Sequence, residues 1–244
     1  MKYADMIALT GEGAAHPGGF EGTVRLLKAF PFPQGSTILE VGCGTGRTAC
    51  YLAELGYSVT ALDHNPRMLA KARARARVEQ ADVRFVEGDL AYLPFEDNTF
   101  DYVFAESVTL FVDPDAAFSE YARVLAPGGR LFDRELFGKR KNRKLENKMR
   151  ELYGIHSLPL IGDWVERLRA AGLTHPQVWA DEGRAQPLPG TQDAIPWGDP
   201  NQILDVSRLM DPEVTDFMEQ NQSFISQYGT ELSYAVLIGS KPAG

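Results

Sequence analysis

Several common building materials are scarce in this chain. It has 244 residues and only two cysteines, Cys43 and Cys50. That is too few for a disulfide framework, and the expectation is two small buried thiols in a reducing compartment, the cytoplasm. No apolar run approaches the length of a membrane span, and Met1-Lys-Tyr-Ala-Asp5 lacks the apolar core of a secretory signal. Positive charge is in deficit: the formal net charge is −8, which argues against bulk binding to nucleic acid. One segment breaks that balance. Residues 139–150 carry seven basic side chains and one acidic one, read as a solvated helix face or as a patch for an anionic partner. There are four histidines, no internal repeat and no low-complexity tract.

What the chain does have is a strand that runs into a glycine turn. In Thr37-Ile-Leu-Glu-Val-Gly-Cys-Gly-Thr-Gly46, strand-forming residues lead into three glycines at alternate positions, and Arg47–Leu55 reads as a helix. An open α/β sheet builds its nucleotide pocket this way, at the carboxyl end of the first strand. Glycine is needed there because it adopts positive φ and lets a ligand approach the backbone. The frame Gly44-x-Gly46-x-x-Ala49 also satisfies a dinucleotide fingerprint, so the turn alone does not choose the nucleotide.

The pattern around it alternates. Strands are predicted near 37–41, 58–62, 83–87, 100–105 and 129–136, and helices near 46–55, 66–79, 115–125, 140–152 and 162–171. Asn65-Pro66 predicts a capped helix start, and Gly56 a helix stop. This alternation implies a parallel sheet covered on both faces. Two helices, near 4–9 and 21–29, come first. Later strands are predicted at 178–180 and 232–238, with a helix at 211–227 between them. The stretch 181–230 is too long for a plain connection and reads as an insertion or cap. The expected layout is a single domain over 1–244: a helical lid (1–34), a cofactor-binding core (35–180), the insertion (181–230), and a final strand with its tail (231–244).

Five segments, in order, resemble those of the class I S-adenosylmethionine (SAM) dependent methyltransferases, in their broad type 11 small-molecule branch. Leu39–Gly46 is similar to motif I. Val59-Thr-Ala-Leu-Asp63 resembles the second strand with its ribose-binding acid. Phe85-Val-Glu-Gly-Asp89-Leu90 resembles the adenine-binding turn. Leu93–Asp101 resembles the approach to strand four, and Val124–Leu131 the turn into strand five. The resemblance covers roughly residues 20–136. It implies a doubly wound, Rossmann-like α/β fold with seven strands in the order 3-2-1-4-5-7-6, the last antiparallel, and helical cap elements over the pocket.

It also implies roles for residues. Gly42, Gly44 and Gly46 leave room for the methionine portion of SAM, and Glu40 lies near its amino group. Asp63 takes the ribose hydroxyls. Asp89 takes the adenine amino group, and the backbone of Leu90 meets the ring. Glu106 flanks the methyl group, and Gly19, in His16-Pro-Gly-Gly19, closes over the methionine end. His16, Glu106, Glu135 and His156 are candidate bases. Tyr153–His156, Trp164, Trp179 and Trp197 either line an acceptor pocket or belong to the core.

The implied reaction moves a methyl group to a small-molecule acceptor by in-line displacement and releases S-adenosylhomocysteine (SAH). The chain lacks the Asn/Asp-Pro-Pro-Tyr/Phe run that amino-group methyltransferases of that fold carry after strand four. It also lacks the acid cluster with an Asp-Asn pair that a metal-dependent type needs, so no metal is expected. No nucleic-acid or membrane partner is expected, and a homodimer stays open. Two rivals remain at this point. One is a NAD-dependent oxidoreductase, which needs a hydride-transfer pair such as Tyr-x-x-x-Lys; Tyr121 has Leu125 at that spacing. The other is a non-catalytic SAM-binding regulatory module.

Overall fold

A computed structural model describes residues 3–180, 198–208 and 211–244. Seven strands, β1 (Thr37–Val41), β2 (Ser58–Asp63), β3 (Val83–Glu87), β4 (Phe100–Glu106), β5 (Leu125–Gly138), β6 (Thr174–Trp179) and β7 (Leu232–Ser240), form one sheet in the order 3-2-1-4-5-7-6. β3, β2, β1, β4 and β5 run parallel, and β7 lies antiparallel between β5 and β6. Central strands such as β1 and β7 are buried almost end to end, whereas the edge strands β3 and β6 alternate in exposure. That is the burial expected of a parallel sheet covered on both faces.

Helices supply both covers. On one face α2 (Gly19–Ala29), α3 (Arg47–Glu54) and α4 (Pro66–Glu79) enclose a core around Ile38, Phe104 and Phe132. On the other, α5 (Pro114–Val124), α6 (Arg143–Tyr153), α7 (Ile161–Ala170) and α8 (Pro212–Tyr228) enclose Leu39, Val103, Tyr121 and Trp164. The capping signals in the sequence act as read. The Asn65 side chain accepts from Arg67 N at 2.9 Å with Pro66 in the first turn of α4, and Gly56 has φ +88° just past α3.

β5 extends beyond its predicted 129–136 at both ends, because Leu125 already pairs with Phe100 across a register shift. The first helix, α1 (Tyr3–Thr10), and residues 198–208 form a joint cover against α4. Lys71 Nζ donates to Leu9 O and Ile203 O, Gln202 Nε2 donates to Thr10 O, and Arg75 forms a buried bidentate ion pair with Asp199. At Gly11, φ +65°, an added Cβ would lie 2.1 Å from Ile203 O. This part of the 181–230 insertion therefore folds back on the N-terminal segment. The rest of that insertion, Trp197 included, lies partly outside the described residues.

Candidate active site

The strand tips open into a cavity of about 630 Å3. Because the sheet order is 3-2-1-4, those tips present Asp89, Asp63, Gly42–Gly44 and Glu106 in sequence across one rim. The N-terminal segment closes the opposite side with Tyr3, Glu12 and His16, and the last turn of α6 adds Tyr153.

The glycines of the turn divide the labour. Gly42 has φ +66°, and a Cβ there would meet Val108 Cγ1 at 2.3 Å. Only glycine lets the β1 and β4 tips come so close. Gly44 has φ +53° and open space where its Cβ would be, on the cavity wall. Gly46 does not line the cavity. It starts α3, and a Cβ there would press on Ala72 Cβ at 2.9 Å, so it serves the approach of α4. Gly19 also stands away from the lining, with nothing within 4 Å of its Cβ position.

Six of the lining residues carry carboxylates: Glu12 and Glu151 on the outer side, and Glu40, Asp63, Asp89 and Glu106 along the strand tips. Asp63 is held by two backbone donors, Gly44 N and Asn65 N, both at 2.8 Å. Asp89 accepts from Ala91 N at 2.8 Å in its own turn, which leaves its second oxygen for another donor. Glu40 is buried, and its Oε2 has no hydrogen-bond partner among the described residues. Burial, with Glu106 and Asp63 nearby, pushes its pKa well above the ordinary carboxylate range.

Glu106 differs from these. Thr23 Oγ1 donates to it at 2.8 Å, Thr48 Oγ1 at 3.1 Å and Arg134 Nε at 3.1 Å, and His16 Nε2 stands 3.4 Å away. Both of its oxygens are therefore committed to the protein. Arg134 is fully buried beneath the start of α2, where Gly18 and Gly22 leave it space, and its two Nη atoms have no hydrogen-bond partner among the described residues. His16 is buried on the cavity wall. Burial lowers its pKa, with Glu106 acting the other way, so the neutral imidazole is favoured.

The other two candidate bases stand elsewhere. His156 is exposed and does not line the cavity; its carbonyl accepts from Arg150. Glu135 is sealed inside β5, where it accepts from Thr109 N at 2.7 Å and pairs with Asp133. Trp164 belongs to the core, with its Nε1 donating to Leu136 O, and Trp179 packs edge-on to Phe30 on the far edge of the sheet. Sequence reasoning missed Thr23, Thr48 and Arg134. They meet only across the fold, and no local pattern marks them.

The comparisons agree with this architecture. A family model described as a methyltransferase domain matches residues 39–133. The uncharacterized methyltransferase YodH of Bacillus subtilis (strain 168) is 32% identical over 98% of this chain and 99% of its own length. Among solved structures, the [4+2]-cyclase SpnF superposes with a TM-score of 0.73 over 98% of this chain and 94% of that one, at 23% identity. Phosphoethanolamine N-methyltransferase 2 of Haemonchus contortus, solved with S-adenosyl-L-methionine, gives 0.69 at 23% identity over 97% of this chain and 56% of that one. With the sheet order, the glycine turn and a full-length methyltransferase relative in agreement, the chain belongs to the class I SAM-dependent methyltransferases.

Proposed function

We propose that this cavity holds SAM along the β3–β2–β1 rim and methylates a small-molecule acceptor admitted on the β4 side. The observation that carries the reading is Glu40. A buried carboxylate with an unpartnered oxygen, beside two further carboxylates, is costly unless a cation joins it. SAM is cationic at both its ammonium and its sulfonium. The open space over Gly44 gives the ligand's chain a place against the backbone, and the N-terminus of α3 favours its carboxylate.

In this reading Asp63 accepts from the ribose hydroxyls and Asp89 from the adenine amino group, while Leu90 N faces the ring. When bound, SAM supplies an activated methyl group. The protein's own task is to align the acceptor, exclude water and remove a proton where the acceptor carries one. His16 is our candidate for that proton, since it is neutral, buried and on the wall. Glu106 positions it, because all of Glu106's acceptor capacity is already directed at protein donors. Gly46 acts through helix packing, and we assign His156 no part.

Parallel calorimetric titrations with SAM, SAH and NAD test the reading. SAM and SAH should bind at micromolar levels and NAD should not. Binding of NAD alone would refute it.

A further inference from the structure

Beyond β4 the cavity changes character. Its wall there comes from α1, from the short 3-10 turn Thr109–Phe111 and from the last turn of α6. Tyr3, Ile7, Phe111, Val112, Leu152 and Tyr153 supply the surface. The rings are organised among themselves. Tyr3 stacks on Phe111 with centroids 5.9 Å apart and meets Tyr153 edge-on at 5.4 Å.

The phenols and the guanidinium at this end have protein partners. Tyr3 Oη donates to Ala15 O at 3.3 Å, and Tyr153 Oη donates to Asn221 Oδ1 at 2.7 Å. Burial holds both phenols protonated, Tyr3 with its pKa pushed up to about 12. Arg150 is half exposed at the mouth and donates to Glu146 Oε1 and His156 O. Glu151 pairs with Lys148, and Glu12 accepts from Ala14 N. Among the described residues that line this end, no buried cation faces the cavity to hold a phosphate or carboxylate, and its two acids stand at the rim, Glu12 part-exposed and Glu151 exposed beside Lys148. Such a wall rewards ring contact and area, not charge.

From this we infer that the acceptor is an uncharged aromatic molecule bearing a hydroxyl group, seated against Tyr3, Phe111 and Tyr153. The inference rests on the methyl-transfer reading above. In the reaction the hydroxyl proton passes to His16, the new bond forms from the acceptor oxygen to the methyl carbon, and the sulfur–methyl bond breaks, leaving a neutral thioether. Rings, and not tyrosine hydroxyls, do the recognising.

The test is calorimetric, with 2-naphthol as the ring probe and phosphoethanolamine and sarcosine as charged comparators. Each is titrated into the protein alone and into protein loaded with SAH. The expected result is saturable 2-naphthol binding and none for the comparators. Tyr153→Ala should weaken 2-naphthol by at least about tenfold, while SAH affinity stays within twofold. Tyr153→Phe keeps the ring and should bind 2-naphthol as the wild type does. Equal losses in Tyr153→Ala and Tyr153→Phe would make the hydroxyl the handle and overturn the inference. So would binding of phosphoethanolamine or sarcosine in place of 2-naphthol. If SAH itself does not bind, the cofactor reading fails, and the ring site is still decided by 2-naphthol in the protein alone.

Discussion

Replacing Glu40 with glutamine should move ligand affinity and stability in opposite directions. Glu40 is 5% exposed, and one of its oxygens is unpartnered. In the bound state that oxygen is read as facing the ligand's ammonium. A hydrogen bond to a charged group contributes about 1.5–3 kcal/mol. Losing it should weaken SAM and SAH roughly ten- to a hundredfold. The ligand-free protein responds the other way. Burial and two neighbouring carboxylates raise the pKa of Glu40 in the fold, so the native state holds a proton that the unfolded chain releases. Stability therefore falls as pH rises from the ordinary carboxylate range through that raised value. Glutamine has no such proton, so Glu40→Gln should flatten the decline and raise the ligand-free melting temperature at pH 8. Calorimetry with SAH gives the first quantity, and thermal melts from pH 5 to 9 give the second. Undiminished SAH affinity together with a lower melting temperature at pH 8 would refute the argument, because Glu40 would then be a satisfied structural group.

Asp63→Ala removes the acceptor proposed for the ribose and should cost about 2 kcal/mol of SAM affinity; equal calorimetric affinity in variant and wild type would place the ribose elsewhere. Gly42→Ala sets a Cβ 2.3 Å from Val108 Cγ1 at positive φ and should destabilise by about 2–4 kcal/mol. Val108→Ala in the same chain should recover part of that loss in denaturant titrations, and no recovery would mean that the contact is not the cause. The Asp133–Glu135 pair is buried, with Asp133 raised to about 8 by burial. Its stabilising contribution is present while the pair keeps its proton and is lost as pH rises through that value. Asp133→Asn should reduce this alkaline fall in melting temperature, leaving the part that burial of Glu135 itself causes, and an unchanged pH profile would show that Asp133 contributes nothing to it.

The sequence was most informative where structure is local. The strand–turn–helix at 37–55, the Asn65-Pro66 start and the Gly56 stop are set by a few neighbouring residues, and the sheet realises them almost residue for residue. Local motifs also put Asp63, Asp89 and Glu40 at the strand tips that line the cavity. The environment of Glu106 was not legible. Its donors lie 83, 58 and 28 residues away, at Thr23, Thr48 and Arg134, and only the folded sheet brings them together. The same holds for the glycines. Gly42, Gly44 and Gly46 look alike in the chain, yet one relieves a strand-tip contact, one opens the cavity and one lets two helices approach.

The cover pinned to α4 bears on the timing of turnover. Residues 9–13 are clamped between α4 and the 199–205 stretch by backbone acceptors of Lys71 and by the buried Arg75–Asp199 pair. A buried ion pair that is half opened strands two charges without water, so intermediate openings are penalised and the seam parts all at once or not at all. Where ligand exchange needs that parting, it is expected in discrete gating events. With such gating slower than methyl transfer, the first turnover would outrun those that follow, and a pre-steady-state burst is the expected kinetic record.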